Sequence, residues 1–161
     1  GKLFDPTKTL TQNNFSKADR IITGNVAFYS GIENPFFGVG PANYGLHYDH
    51  YNKYKKIVVN RNAYFDHFAQ RKNERAIPNN VYLEVFSEYG VIASVLFLLF
   101  LFLILRKAYY LKEDSITAGI ICIILSFNAF PSFIMLFIWV FLAIPFAIHR
   151  NKLNEQKLIT N

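Results

Sequence analysis

Residues 89–105 read YGVIASVLFLLFLFLIL and contain no charged side chain. An uncharged apolar run of about 17 or more residues is typical of a helix that crosses a membrane. A second uncharged run, residues 115–148, is interrupted by Asn128, Pro131 and Ser132. As one helix it would be about 51 Å long, whereas the hydrocarbon core of a bilayer is roughly 30 Å thick. We therefore expect two helices in the second run and three spans in all.

These runs predict an all-α, polytopic membrane protein fragment in which a partly helical loop domain on the outer face precedes three transmembrane helices. The expected segments are an outer loop over residues 1–80, an interfacial and transmembrane helix over 81–107, a cytoplasmic loop over 108–114, transmembrane helices over 115–129 and 132–148, and a cytoplasmic tail over 149–161. Basic residues cluster at 106–112 and 150–157. The positive-inside rule assigns both clusters to the cytoplasm.

The beginning of the chain shows no basic segment followed by a short apolar stretch, as a signal peptide would. We therefore expect the full gene product to contain earlier spans that carry the polar first half across the membrane. Within that half, the apolar spacing over residues 17–32 predicts an amphipathic helix that ends before Pro35. The glycines that follow predict a tight turn, and Val81 begins a helix expected to run unbroken into the apolar segment.

Charge and composition argue against several classes of site. The net charge of +6 comes without a basic stripe or a nucleic-acid motif, so we expect no nucleic-acid partner. The surplus suits solubility and topology, or a site for an anionic lipid diphosphate. Cys122 is the only cysteine, and His47 and His50 lack a matching acid or cysteine cluster. We therefore expect no metal site. The Tyr- and His-rich loop suits an aromatic belt at the membrane interface instead.

A two-part pattern precedes the apolar helix. Its first part is Arg20 followed by PFFGVGPANY at 35–44, and its second part is PNNVYLE at 78–84 followed by EYG at 88–90. The pattern, within about residues 17–148, resembles the O-antigen ligase and O-antigen (capsular polysaccharide) polymerase family of bacterial integral membrane proteins. That family shows an Arg, a Pro-x-x-Gly-x-Gly turn, and His-Asn or Asp-Asn before Tyr-Leu-Glu and Glu-x-Gly.

The resemblance implies a membrane glycosyltransferase of the bacterial inner (cytoplasmic) membrane, with the N-terminal loop outside and the C-terminus in the cytoplasm. Such an enzyme moves a glycan from undecaprenyl diphosphate to an acceptor sugar hydroxyl, without nucleotide sugars or a cofactor. The implied partners are the undecaprenyl diphosphate-linked oligosaccharide, the lipid bilayer and other glycan-assembly membrane proteins.

The resemblance also assigns roles to individual residues. Arg20 matches the essential loop arginine, whose guanidinium can bind a diphosphate leaving group in bidentate fashion; the alternative is an exposed helix arginine paired with Asp19 or Glu33. Asn79 stands where ligases usually have a His, and an amide cannot act as a general base. The implied catalytic residues are Arg20, Asn79, Glu84 and His67. The implied substrate-binding residues are Gly38, Gly40, Asn80, Tyr82 and Glu88, with helix capping as the alternative for Asn79 and Asn80.

The missing histidine, and the absence of a Trp that often follows the family's arginine, favour a polymerase of lipid-linked repeat units in O-antigen, capsule or exopolysaccharide synthesis. The alternative within the class is a ligase that transfers finished glycan to a lipid or protein acceptor. An alternative of another class is a non-catalytic membrane subunit or a transporter fragment. Since the apolar runs contain no acid or base, chemistry at the outer face is favoured over passage through the spans.

Overall fold

The regular structure of this protein is helical wherever the computed structural model describes it, which is over residues 12–52, 76–129 and 136–160. These ranges contain no strand and five helices: α1 (Gln12–Glu33), α2 (Tyr44–Tyr51), α3 (Val81–Tyr110), α4 (Asp114–Ser126) and α5 (Leu136–Thr160). The all-α prediction is confirmed for this part of the chain. The predicted break near Pro131 falls partly outside it, since α4 is followed by a turn over residues 127–129.

The helices α1 and α2 pack against each other through a small core. Ile22, Val26 and Ala27 are buried on one face of α1, and the buried residues of α2 are tyrosines. The Tyr44 hydroxyl donates a hydrogen bond to the Thr23 carbonyl oxygen at 2.8 Å. The helix predicted over 17–32 is therefore present, although it begins earlier, at Gln12, and ends before Pro35 as expected. The short helix α2 was not predicted.

The long helix α3 is bent at Gly90, where φ is 78° and ψ is −174°. The ring centroids of Tyr82 and Phe97 lie 6.2 Å apart. In a straight helix these residues would be separated by about 22 Å along the axis. The helix therefore consists of two parts, α3a (residues 81–89) and α3b (residues 91–110), which meet at a sharp bend. The expectation of an unbroken helix from Val81 is wrong at this position.

The apolar helices α3b, α4 and α5 share a second core, which α3a joins through Val81 and Val85. Phe127, which follows α4, is fully buried beside the rings of Tyr82 and Phe97. Two hydrogen bonds fix this junction: the Val81 N–H donates to the Phe127 carbonyl at 2.9 Å, and the Tyr82 hydroxyl donates to the Ile124 carbonyl at 2.7 Å. The start of α3a is thereby attached to the end of α4.

One helix in the described part of the chain, Val81–Tyr110, is long and apolar enough to cross a membrane. Only 22% of its most apolar stretch of 18 residues is buried within the protein, whereas the core helix of a soluble domain would be mostly buried. The part beyond the bend, α3b, is about 30 Å long, which matches the hydrocarbon core of a bilayer. The helix α4 and the apolar part of α5, Leu136–Asn151, are shorter. Three spans and their orientation stay predictions.

Asn80 caps the start of α3. Helix capping, one of the two roles predicted for this residue, is therefore confirmed. Its backbone is extended, and its side-chain oxygen accepts a hydrogen bond from the Leu83 N–H at 3.1 Å. We expect Asn80→Ala to lower the free energy of unfolding by about 1 kcal/mol, because that N–H loses its partner. Asn80→Ser, which keeps a capping oxygen, should lose less. Denaturant unfolding of the purified chain in detergent measures both, and equal stability of the alanine and wild-type proteins would contradict the prediction.

Candidate functional site

The segment between α1 and α2, residues 34–43, is here called the glycine turn, and it lies against the bend of α3. Three backbone hydrogen bonds join the two: Val39 N–H to Ser87 O at 2.9 Å, Gly40 N–H to Glu88 O at 3.0 Å, and Val91 N–H to Pro35 O at 2.7 Å. The bonds come from both sides of the bend. The PFFGVGPANY and EYG parts of the sequence pattern therefore form one substructure.

The glycines of this substructure are required by backbone conformation and by close approach. Gly38 and Gly90 have φ values of 64° and 78°, a region that residues with a Cβ rarely adopt. A Cβ on Gly38 would overlap the Glu88 carbonyl group, and a Cβ on Gly90 would overlap the Phe36 carbonyl group. The turn predicted from these glycines is thus present. Its glycines allow two backbones to touch, and their implied role in substrate binding stays a prediction.

The Glu88 carboxylate binds the start of α2. It is buried, and its Oε2 accepts a hydrogen bond from the Ala42 N–H at 2.9 Å, while Oε1 accepts from the Tyr44 N–H at 3.4 Å. Asn43, the N-cap residue of α2, makes no capping bond of its own. An anionic group at a helix N-terminus is stabilised by the N–H groups that point at it. Glu88, which is far from α2 in the sequence but beside it in the fold, therefore caps α2. Its implied role in substrate binding would compete with these bonds.

We expect Glu88→Ala to lower the free energy of unfolding by about 2 kcal/mol, because hydrogen bonds to a charged group near a helix start are lost together. Glu88→Gln keeps one acceptor oxygen and should lose roughly half as much. The measurement is denaturant unfolding of the purified chain, followed by far-ultraviolet circular dichroism. If the glutamine variant were as unstable as the alanine variant, the charge rather than the acceptor would be the important property.

Arg20 lies within α1, about four turns before the glycine turn, and Asn79 lies just before the start of α3a. The Asn79 side-chain N–H donates to Asp19 Oδ2 at 2.7 Å, although the two residues are 60 positions apart in the chain. Arg20 follows Asp19 directly and is exposed. The structure therefore places Asn79 against the chain neighbour of Arg20, and the catalytic roles of both residues stay predictions. The sequence suggests Asp19 only as a partner of Arg20. No spacing in the sequence indicates its contact with Asn79.

The side-chain amides of Asn79, Asn80 and Asn128, with the Asp19 carboxylate, form what we call the amide rim. Asn80 Nδ2 donates long hydrogen bonds to the backbone oxygen and the Oδ1 of Asn128, at 3.5 and 3.4 Å. The rim adjoins the exposed Arg20. It offers neutral N–H donors, one carboxylate and one guanidinium, which is a set suited to a ligand with both hydroxyl and anionic oxygen groups.

Three further residues predicted from the sequence are Tyr82, Glu84 and His67. Glu84 is buried within α3a, and the Tyr82 hydroxyl donates to the Ile124 carbonyl as described above. His67 lies outside the described residues. Because α1 and α3a run in the same direction, the glycine turn lies about 20 Å from Arg20, as the length of α1 requires. The structure thus places Asn79 beside Asp19, the neighbour of Arg20, with Asn80 next in the chain, and separates Arg20 from Gly38, Gly40 and Glu88.

Comparisons with known proteins place this chain beside none of them: no family model, no curated protein and no solved structure matches it. Among the described residues, no group of three His, Cys, Asp or Glu side chains is arranged to hold a metal ion. We therefore base the function on the sequence pattern and on the contacts at the Arg20 end of α1.

Proposed function

We propose that this chain is part of a bacterial membrane glycosyltransferase that polymerises oligosaccharide repeat units carried on undecaprenyl diphosphate, for O-antigen, capsule or exopolysaccharide. The observation that supports it best is the hydrogen bond from Asn79 to Asp19, the neighbour of Arg20. This contact joins the two parts of the sequence pattern on which the resemblance rests.

Arg20 is the proposed ligand of the donor diphosphate. A guanidinium keeps its positive charge at every physiological pH and can bind two phosphate oxygens at once. Arg20 is exposed, so a lipid-linked substrate can reach it without a rearrangement of the helix. In the reaction the acceptor hydroxyl oxygen bonds to the donor sugar carbon, and the bond from that carbon to the diphosphate oxygen breaks. The leaving diphosphate takes the electron pair, and Arg20 stabilises its growing charge.

The acceptor hydroxyl is the proposed ligand of the amide rim. Asn79 and Asn80 can orient a hydroxyl but cannot take its proton at neutral pH. The proton therefore passes to a carboxylate or a histidine. His67 and Glu84 are the bases predicted from the sequence, and Asp19 is a further candidate because it is the carboxylate next to Arg20 and Asn79.

The proposed setting is the outer face of the inner membrane, with α3b and the two shorter apolar helices in the bilayer. Support comes from the length of α3b, from its low burial within the protein and from the basic residues that follow it. A polyprenyl carrier could then lie along the exposed apolar face of α3b while its diphosphate reaches the Arg20 end. The C-terminus would be cytoplasmic.

The test uses the full-length gene in a host that lacks its own copy, and it compares the wild type with Arg20→Ala. Arg150→Ala is the matched control, since Arg150 is also an exposed helix arginine but lies on α5. Surface and lipid-linked glycans are separated on a gel at equal amounts of protein. Single repeats without a long ladder would support a polymerase. Long chains retained on the lipid carrier would indicate a ligase. An unchanged ladder would exclude Arg20 from the site and favour a non-catalytic subunit or transporter.

A further inference from the structure

The glycine turn exposes two neighbouring aromatic side chains. Phe36 and Phe37 have 64% and 80% of their surfaces exposed. Phe28 and Ile32, on the last turns of α1, are also about half exposed. Scattered single hydrophobic residues at a surface are ordinary, but a contiguous group of this size marks a contact surface.

Phe36 and Phe37, here called the aromatic tip, are continuous with the exposed face of α3b. The hydrogen bond from Val91 to Pro35, together with the contact of Gly90 with the Phe36 backbone, sets the tip beside the first residues of the apolar helix. Val91 and Ile92 are themselves 41% and 50% exposed, and the exposed apolar surface continues along α3b with Val95 and Leu96. Whatever covers the outer end of α3b therefore also reaches Phe36 and Phe37.

Several N–H groups of the glycine turn already have acceptors inside the protein. Hydrogen-bond donors within it find partners inside the protein: Gly38 N–H to Asn34 O, Val39 N–H to Ser87 O, Gly40 N–H to Glu88 O, Ala42 N–H to Glu88 Oε2, and Asn43 N–H to Gly40 O. Two further positions, Pro35 and Pro41, have no N–H group at all. Irregular backbone is tolerated at membrane depth only where its polar groups are satisfied in this way. These five N–H groups therefore do not need water as a partner.

We propose that Phe36 and Phe37 insert into the outer leaflet of the bilayer, at the boundary between headgroups and acyl chains, beside α3b. Apolar faces that contain Phe or Leu lie at this boundary, and they bind it in proportion to the area they bury. The inference rests on the membrane setting proposed above. Its consequence is an anchor that holds the glycine turn, with the helices α1 and α3a that adjoin it, at the membrane surface.

The test uses tryptophan fluorescence, since Trp139 is the only tryptophan of the chain. Trp139→Phe gives a background into which Phe37→Trp is introduced, at a side chain exposed enough to accept the larger ring. The whole chain is reconstituted into vesicles of phosphatidylcholine brominated either near the glycerol end or near the middle of the acyl chains. Leu96→Trp, on the exposed face of α3b, is the control for the membrane span, and Asn154→Trp, exposed on α5, is the control for water.

We expect Phe37→Trp to lose most emission in the lipid brominated near the glycerol end, Leu96→Trp to be quenched by lipid of either kind, and Asn154→Trp to be quenched by neither. If Leu96→Trp is quenched and Phe37→Trp is not, the span stands and the anchor is excluded. A blue-shifted, unquenched Phe37→Trp would show that a protein covers the tip, which also overturns the proposal. If neither site is quenched, the membrane setting fails, and the anchor fails with it.

Discussion

Gly90→Val is expected to lower the free energy of unfolding by at least about 3 kcal/mol. Gly90 combines φ of 78° with ψ of −174°, a conformation that is essentially restricted to glycine. A side chain there would also overlap the Phe36 carbonyl group. Relief of either conflict requires the glycine turn to leave α3, which breaks the hydrogen bond between Val91 and Pro35.

A matched control for this substitution is Gly24→Ala. Gly24 lies within α1, and an added Cβ would meet only the Leu83 side chain, at an ordinary contact distance of 3.4 Å. Because alanine is the better helix former, this variant should be as stable as the wild type or gain up to about 1 kcal/mol. Denaturant unfolding in detergent compares the three proteins. If Gly90→Val were as stable as Gly24→Ala, the bend of α3 and its contact with the glycine turn would be disproved.

Arg20→Ala is expected to reduce the rate of repeat-unit joining by about 10²- to 10³-fold, the effect of removing one fixed donor from a developing anion. Arg20→Lys should fall between the alanine variant and the wild type, because lysine keeps the charge but loses the bidentate geometry. Neither change should alter the unfolding midpoint, since the Arg20 side chain is exposed.

The measurement for Arg20 is the rate at which membrane vesicles that contain the full-length protein convert a lipid-linked repeat into longer chains. Arg150→Ala serves again as the control for loss of one exposed positive charge. Equal losses in Arg20→Ala and Arg150→Ala would mean that the assay responds to total charge near the membrane. A lysine variant with full activity would show that Arg20 acts only as a point charge.

The fold could be predicted where one residue pattern determines local structure. Uncharged apolar runs and the position of Pro35 were sufficient for α3b, for α4 and for the end of α1. The bend at Gly90 could not be predicted, because the glycine conformation there is set by contact with a turn more than fifty positions earlier. The helix α2 was missed for a similar reason: it depends on a cap from Glu88 and on burial of its tyrosines, not on its own apolar spacing.

The candidate site was predictable only in part. The resemblance grouped Arg20 and Asn79, and a contact between Asp19 and Asn79 brings them together. It also grouped Gly38 and Glu88 with the substrate, but in the fold these residues connect the glycine turn to α3 at the far end of α1. Sequence order cannot distinguish a glycine that approaches a ligand from a glycine that approaches another backbone, since both need the missing Cβ.

The hydrogen bond between Val91 and Pro35 has a consequence for the order of events during synthesis. The glycine turn is synthesised well before α3, so the N–H groups of Val39, Gly40 and Ala42 have no acceptor until Ser87 and Glu88 are made, and the Pro35 carbonyl has no donor until Val91 is made. Long-range closure of this kind delays folding and leaves apolar side chains uncovered in the meantime. The unit of α1, the glycine turn and α2 therefore cannot complete its hydrogen bonds until residue 91 has been made.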